Sequence, residues 1–437
     1  MKTRLAKAIT ASVVARGIGS CAGLLLTVCV TRLLSVDHAG QYFASVSAAM
    51  IISAFGRLGL DTVLLRETSE PRGVRGSAAK ALLLQSARVC LAFLTASGAL
   101  VSAVALYVMG QDEFFRSGAL AIFMLSASLT VLGLSAEALR GQGRSALSFL
   151  LQYASWPTLT ALAAIVMATN DAAVILRCAA ASSAVSAALS FGLAHASLPQ
   201  IPDPLTNRPF SPWLLVRKGR TFLLATILNQ ANNAAVPLLL AALTSATAVA
   251  ELAVAFRIAS ILGLLLTAAN AVSASPTSSA FKEGRIFEIE AVNRRAATLT
   301  LLITAPLGGF ILFFNTPLLS QFGEGYQEAT TALTLLVLAQ LLNVGTGAVG
   351  QTLLLCGKQK TAVRNLALGS GVTLTLAVLL SGPLQATGAA IAIAAGTVTT
   401  QLLNLRSCKN DLGVRLSPLL PRSSGSQTIT TTWQESS

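Results

Sequence analysis

Five arginines lie within long apolar stretches of this sequence, where no water is at hand to solvate a charge. They are Arg16, Arg57, Arg88, Arg177 and Arg257. A charged side chain at the centre of a membrane helix costs about 2.5–3.5 kcal/mol on insertion scales. Each should therefore face a polar cavity, pair with an acid or reach an interface. Because arginine keeps its charge and can donate two hydrogen bonds to one phosphate, the chemistry it offers in a cavity is anion binding.

Local sequence offers structural alternatives for three of these arginines. Arg177 lies about five residues from the outer end of its stretch, so its side chain is expected to reach the membrane surface. Arg88 lies about seven residues, or roughly 10 Å, from the inner end of its stretch, and either role fits it. Arg57 precedes Asp61 by four residues, which would place both on one helix face, where they can neutralise each other.

Arg16 and Arg257 have no acidic residue within one helical turn, and a cavity is the better interpretation for both. Glycines beside Arg16 allow another helix to approach closely. If the first stretch runs outwards, Arg16 lies nearer the inner mouth of the cavity and Arg257 nearer the outer one. Amides in the seventh stretch could hydrogen-bond a polar cargo or join helices to one another. These amides are Asn229, Gln230, Asn232 and Asn233.

The composition identifies lipid as the solvent of these stretches. Of the 437 residues, 54% are hydrophobic and only 11% are charged, and the mean hydropathy is +0.70. A soluble domain carries roughly 25% charged residues. The net charge of +14 is spread over short loops between apolar runs, which is typical of membrane topology and argues against nucleic-acid binding. The sequence therefore predicts an all-α integral membrane protein.

About twelve transmembrane helices are expected, since roughly 20 apolar residues are needed to cross a bilayer. Five prolines in residues 198–213 predict a linker over 198–220, because no continuous helix tolerates them. This linker would join two six-helix bundles, 1–197 and 221–405, around a central cavity, and residues 406–437 would form a tail. The predicted spans are 9–34, 42–65, 81–109, 118–138, 145–169, 172–197, 221–243, 252–275, 296–315, 331–356, 363–380 and 384–405.

The basic residues predict the orientation of the chain. With the N-terminus inside, 24 of the 31 basic residues fall in inward segments, two in outward loops and five in spans. The positive-inside rule predicts such an excess. Both termini and the linker are therefore expected to be cytoplasmic.

The sequence contains no recognisable phosphate-binding loop, metal-ligand spacing or other enzyme motif, and the predicted outward loops are short. Its six cysteines lie in apolar spans or in the basic tail, which argues against a disulfide framework. We expect a protein that is not an enzyme and holds no cofactor or metal.

Several short segments occur in a fixed order along the chain. The first, residues 31–67, reads TRLLSVDHAGQYFASVSAAMIISAFGRLGLDTVLLRE. The others are Pro276, FGEGYQEATTALTLLVLAQ at 322–340, LLLCGKQK at 353–360 and GAAIA at 388–392. In this order and spacing they resemble the polysaccharide-biosynthesis flippases (Wzx-type) of the multidrug/oligosaccharidyl-lipid/polysaccharide (MOP) exporter superfamily, over almost the whole chain.

This resemblance implies a flippase that moves an undecaprenyl-diphosphate-linked oligosaccharide across a bacterial inner membrane by alternating access. The cargo would be an O-antigen, capsule or exopolysaccharide repeat unit, and a proton or sodium gradient would drive it. Arg16, Arg57 and Arg257 would contact the diphosphate, the amides Asn229 and Asn233 would contribute to substrate binding, and Asp61 is a candidate for ion coupling. Membrane lipids, a glycan polymerase and a chain-length regulator are the expected partners.

Three alternatives remain open at this point. A multidrug exporter of the same superfamily usually handles cations and would need acids within its spans, where this chain has arginines. A lipid II flippase would have helices beyond twelve. A membrane glycan polymerase, which is an enzyme, would present a large outward loop.

Overall fold

Helices make up nearly all of the described part of the computed structural model, which comprises residues 2–69, 76–108, 113–198, 212–230, 234–414 and 416, and no strand occurs in it. Apolar runs become helices because, in lipid, every backbone N–H and C=O must be bonded within its own segment. The helices are α1 (Lys2–Leu33), α2 (Val36–Gly56), α3 (Leu60–Ser69), α4 (Gly76–Val108), α5 (Glu113–Gly141), α6 (Ser145–Phe149), α7 (Trp156–Met167), α8 (Ala172–Ser197), α9 (Pro212–Gln230), α10 (Val236–Leu243), α11 (Ala246–Lys282), α12 (Ile286–Phe313), α13 (Asn315–Ser320), α14 (Thr330–Thr346), α15 (Val349–Leu355) and α16 (Gln359–Leu412).

Nine helical stretches among the described residues are long and apolar enough to cross a membrane. Eight of them match one predicted span each, and the eleventh and twelfth predicted spans share α16. The third predicted span corresponds to α4, and the seventh is divided between α9 and α10. The described part of every predicted span thus lies mostly in helix, which confirms the all-α transmembrane architecture.

Two predicted spans are broken at glycines with positive φ, a conformation that glycine adopts without steric cost. The second span breaks between α2 and α3, where Leu58 and Gly59 have φ of 51° and 72°. A Cβ at Gly59 would lie 2.3 Å from the Gly219 carbonyl oxygen, so this break brings α3 against α9. The tenth span breaks between α14 and α15 at Gly347, with φ of 76°.

Helix α16 is a hairpin of two antiparallel arms that turns at Gln385, whose φ of 48° and ψ of −128° are not helical. Two glycines allow the arms to touch. A Cβ at Gly369 would lie 1.8 Å from the Thr400 hydroxyl, and one at Gly396 would lie 1.8 Å from the Thr373 hydroxyl. Small residues at such crossings allow helices to pack at backbone distance within a membrane.

The predicted linker is helical in its last part. Helix α9 begins at Pro212, because proline is well tolerated in the first turn of a helix. Leu215 is buried in a cluster with Leu58 and Leu60, which ties this turn to α3. Residues 199–211 and the tail beyond 416 lie outside the described residues, and the division into two six-helix bundles stays a prediction.

One end of the bundle is closed where α2 and α11 begin, and we call it the Gly40 end. A Cβ at Gly40 would lie 1.7 Å from the carbonyl oxygen of Ala246, so the two helices touch backbone to backbone. Nearby, Arg32 Nε donates to the Gln321 carbonyl at 2.7 Å. Residues of α1, α2 and α11 near this contact belong to one hydrophobic core.

Candidate functional site

A cavity of about 670 Å³ opens between α1, α2, α5, α9, α11 and the π-helical segment Leu150–Ser155. Its lining residues on α1, α2 and α11 lie ten or more residues from the Gly40 end, which is roughly 15 Å along a helix. The cavity therefore occupies the part of the bundle remote from the closed end. It contains all three arginines that the sequence predicts as substrate-binding residues, together with Asp61.

The Arg257 guanidinium lies against Gly23 of α1, where the missing side chain leaves it room. A Cβ at Gly23 would be 2.8 Å from one terminal nitrogen and 2.9 Å from Cζ. Arg257 Nε donates to the Thr27 hydroxyl at 3.3 Å, and this hydroxyl donates to the Gly23 carbonyl at 2.9 Å. No carboxylate of the described residues lies within 4 Å of Arg257. Helix α1 thus positions this charge without neutralising it.

Arg16 is held by an aromatic ring. Its guanidinium stands 4.2 Å from the centroid of Phe149, a cation–π contact. Arg140 approaches the same ring at 5.1 Å and pairs with Glu137 at 2.5 Å. Arg16 has no such partner among the described carboxylates. The guanidiniums of Arg16 and Arg140 therefore both lie near the Phe149 ring, and only that of Arg140 is paired with a carboxylate.

Arg57 and Asp61 form the predicted ion pair, with 3.6 Å between a terminal nitrogen and Oδ2. They do not share one helix face as the sequence suggested, since Arg57 caps α2 and Asp61 lies in the first turn of α3. Asp61 Oδ1 also accepts the Thr62 backbone N–H at 2.8 Å. The Arg57 side chain runs along Gly133 of α5, where a Cβ would be 3.0 Å from it.

The charges around the cavity have a positive sum. Its described lining holds four arginines and two carboxylates, and only Arg57 and Arg140 have a carboxylate within 4 Å. Arg16 lies seven residues from Gly23, where Arg257 rests, so these two positions of α1 are about 10 Å apart along the helix. A concave site with one excess sign of charge concentrates ligands of the opposite sign. The described lining of the cavity thus carries a net positive charge.

The remaining candidates lie in different places. Arg88 and Arg177 are exposed, and neither lines the cavity. Of the amides in the seventh predicted span, Gln230 lines the cavity. Asn233 and the side chain of Asn229 lie outside the described residues, so their roles in substrate binding stay predictions.

Sequence reasoning missed most residues of this cavity, and five of those missed carry a charge, an amide or an aromatic ring. The predicted spans place Arg140 in an inward loop, although Glu137, three residues earlier, already lies in a predicted span. Both could have been found as an acid–base pair at the end of that span. Gln152, Tyr153 and Trp156 also line the cavity, and they carry no charge to distinguish them from neighbouring apolar residues.

No family model and no curated protein matches this sequence. Solved structures do match its fold. An inward-facing multidrug resistance MATE family transporter of the MOP superfamily aligns with a TM-score of 0.65 and 14% identity, over 90% of this chain and 94% of that one. The lipid II flippase MurJ, in its inward closed conformation, aligns with a TM-score of 0.71 and 14% identity, over 91% of this chain and 87% of that one.

This chain has the fold of the MOP superfamily transporters. A third structure, a MOP superfamily transporter from Pyrococcus furiosus, aligns with a TM-score of 0.63 and 14% identity, over 93% of this chain and 96% of that one. Identities this low establish the fold alone. The fold expected from the resemblance is therefore confirmed, and membership of the superfamily and of its Wzx-type flippases is a proposal.

Proposed function

We propose that this protein is a flippase that translocates an undecaprenyl-diphosphate-linked oligosaccharide across a bacterial inner membrane. The observation that carries the proposal is the pair of guanidiniums, Arg16 and Arg257, which line one cavity with no described carboxylate within 4 Å. A diphosphate supplies the negative counter-charge that no described carboxylate gives these two arginines. A guanidinium can also donate two parallel hydrogen bonds to phosphate oxygens. The oligosaccharide is an O-antigen, capsule or exopolysaccharide repeat unit.

The two arginines receive the diphosphate at two depths, about 10 Å apart along α1. With the N-terminus in the cytoplasm, the cavity accepts cargo from the cytoplasmic side while the Gly40 end is closed. Separation of α2 from α11 at Gly40 and Ala246 then opens the opposite side. The undecaprenyl chain stays in the bilayer, since burying its apolar surface in a cationic cavity has no advantage over lipid.

A proton or sodium gradient drives the cycle, and Asp61 is its candidate carrier. Asp61 and Arg57 neutralise each other at 3.6 Å. Protonation of Asp61 would free the Arg57 charge for the diphosphate, which links ion binding to cargo binding. Asp61→Asn should therefore reduce the dependence of transport on the gradient. An unchanged gradient dependence would remove Asp61 from the coupling step.

A multidrug exporter of the same superfamily is the second candidate, because a MATE family transporter shares the fold over 90% of this chain. A cationic drug would need a carboxylate free to receive it. The cavity carboxylates of Asp61 and Glu137 each have an arginine within 4 Å, which favours an anionic cargo. The Pyrococcus furiosus transporter was described as having a binding pocket of reversed polarity that suggests a different function.

Substituting the two unpaired arginines tests the proposal. Arg16→Ala and Arg257→Ala should each lower glycan export by about 10- to 100-fold, since hydrogen bonds to charged groups contribute about 1.5–3 kcal/mol. Lysine at either position should restore only part of the export, because an ammonium keeps the charge but loses the bidentate geometry. The measurement is surface glycan normalised to the amount of protein in the membrane. Arg177→Ala, an exposed position outside the cavity, is the control.

Normal export by both alanine variants would remove these residues from the site and with them the main reason for an anionic cargo.

Deletion of the gene separates transport from polymerisation. The proposal expects lipid-linked repeat units to accumulate on the cytoplasmic leaflet. Single units that already face the periplasm would instead indicate a glycan polymerase.

A further inference from the structure

One wall of the cavity carries aromatic and amide side chains that charge recognition does not use. Gln152, Tyr153 and Trp156 line the cavity from the π-helical segment Leu150–Ser155 and the first residue of α7. π-Helical turns are rare and often occur at functional sites, where the extra residue per turn redirects side chains. We call these three side chains the aromatic wall.

The aromatic wall begins where Arg16 is held. Arg16 stands over Phe149, whose ring centroid is 6.1 Å from that of Tyr153. Tyr153 in turn packs against α1 at Gly19, where a Cβ would lie 2.7 Å from the Tyr153 Cβ. If a phosphate group binds Arg16, the chemical group attached to that phosphate would therefore lie beside this wall.

One polar atom without a protein partner lies in the same space. The side-chain oxygen of Gln152 is shielded from solvent and has no hydrogen-bond partner among the described residues. Such a group costs about 1–3 kcal/mol when it stays unpaired, so it favours a ligand that donates a hydrogen bond. Thr226 and Gln230 of α9 and Thr267 of α11 also line the cavity and add hydroxyl and amide groups from other helices.

We propose that the aromatic wall is a subsite for the sugar attached directly to the diphosphate. This inference rests on the proposed function and adds to it recognition of the carbohydrate. A sugar ring has an apolar C–H face and a rim of hydroxyl donors. Tyr153 and Trp156 offer apolar ring surface with a polar handle, and Gln152 accepts a hydroxyl hydrogen. Sites for small polar ligands commonly combine aromatic walls with a few convergent polar groups.

The test compares two lipids that differ only in the sugar. Purified protein in vesicles is offered polyprenyl diphosphate bearing one N-acetylglucosamine, or the same polyprenyl diphosphate without sugar, and the translocation rate of each is measured. The wild type should move the sugar-bearing lipid faster. Gln152→Leu, which keeps the side-chain volume, and Tyr153→Leu should lower the ratio of the two rates about tenfold, which corresponds to ~1.4 kcal/mol. Leu162→Ala, at an exposed position of α7 outside the cavity, should leave the ratio unchanged.

The ratio cancels differences in the amount of active protein. Tyr153→Phe removes only a hydroxyl, so the ratio of the two rates can be measured for this variant even if Tyr153→Leu disturbs packing. If the variants keep the wild-type ratio, or if the wild type moves both lipids equally fast, the sugar subsite is wrong while the flippase stands. If the wild type moves neither lipid, the proposed function fails and the subsite fails with it.

Discussion

Replacing Gly23 by alanine should displace the Arg257 guanidinium and leave α1 folded. The new Cβ would lie 2.8 Å from one terminal nitrogen, 2.9 Å from Cζ and 3.0 Å from the other nitrogen of Arg257. Ordinary van der Waals contact begins at 3.4 Å, so the guanidinium must retreat by at least 0.6 Å, the difference between 3.4 and 2.8 Å. Only the far end of a flexible side chain is struck. Alanine also stabilises a helix interior by about 1 kcal/mol relative to glycine.

Transport should therefore fall while the protein still accumulates in the membrane. A misplacement of about 1 Å in a positioned group can cost about 100-fold in rate. For the smaller displacement here we expect about a tenfold loss of translocation, or ~1.4 kcal/mol. Gly17→Ala is the matched control, because it adds the same methyl group to the same helix and a Cβ there meets nothing within 4 Å.

The assay is translocation of the lipid-linked oligosaccharide in vesicles that contain equal amounts of each variant. A second comparison places Gly23→Ala in an Arg257→Ala background, where it should have no further effect because the displaced group is gone. Equal transport by the Gly23→Ala and Gly17→Ala variants would refute the argument that the position of Arg257 matters. A loss of folded protein from Gly23→Ala alone would show that α1 cannot absorb the methyl group.

Three further expectations follow from the packing and the topology. Gly369→Ala should lower the unfolding temperature of the detergent-solubilised protein by several degrees, because its Cβ would strike Thr400 and overpacking typically costs about 1–3 kcal/mol. Gly371→Ala is the control and should leave the unfolding temperature unchanged, because a Cβ there meets nothing within 4 Å. Equal unfolding temperatures of the two variants would contradict the close crossing. Arg177→Lys should leave export normal, since lysine reaches an interface as well as arginine does, and a loss of export would indicate a more specific role. A cysteine at Pro204 should label only from the cytoplasm; labelling from the periplasm would overturn the predicted topology.

Local sequence alone determined that this chain is an all-α membrane protein and that its buried arginines are the residues to examine. Both conclusions depend on free energies that each segment sets by itself. A run of apolar residues partitions into lipid regardless of what lies elsewhere in the chain. A guanidinium such as that of Arg257 carries its desolvation cost wherever it is placed, so its presence in a span already implies a polar surrounding.

Tertiary structure alone decided where these charges lie and which groups they contact. Arg257 rests on Gly23, more than two hundred residues earlier in the chain, and no local pattern records that contact. The break at Gly59 separates Arg57 from the helix that carries Asp61, and Gly219, 160 residues later in the chain, packs against it. The residues of the aromatic wall are uncharged, so no insertion cost like that of the arginines marks them in the sequence. Which side chains share a cavity is a property of helix packing, because it depends on contacts between segments that are distant in sequence.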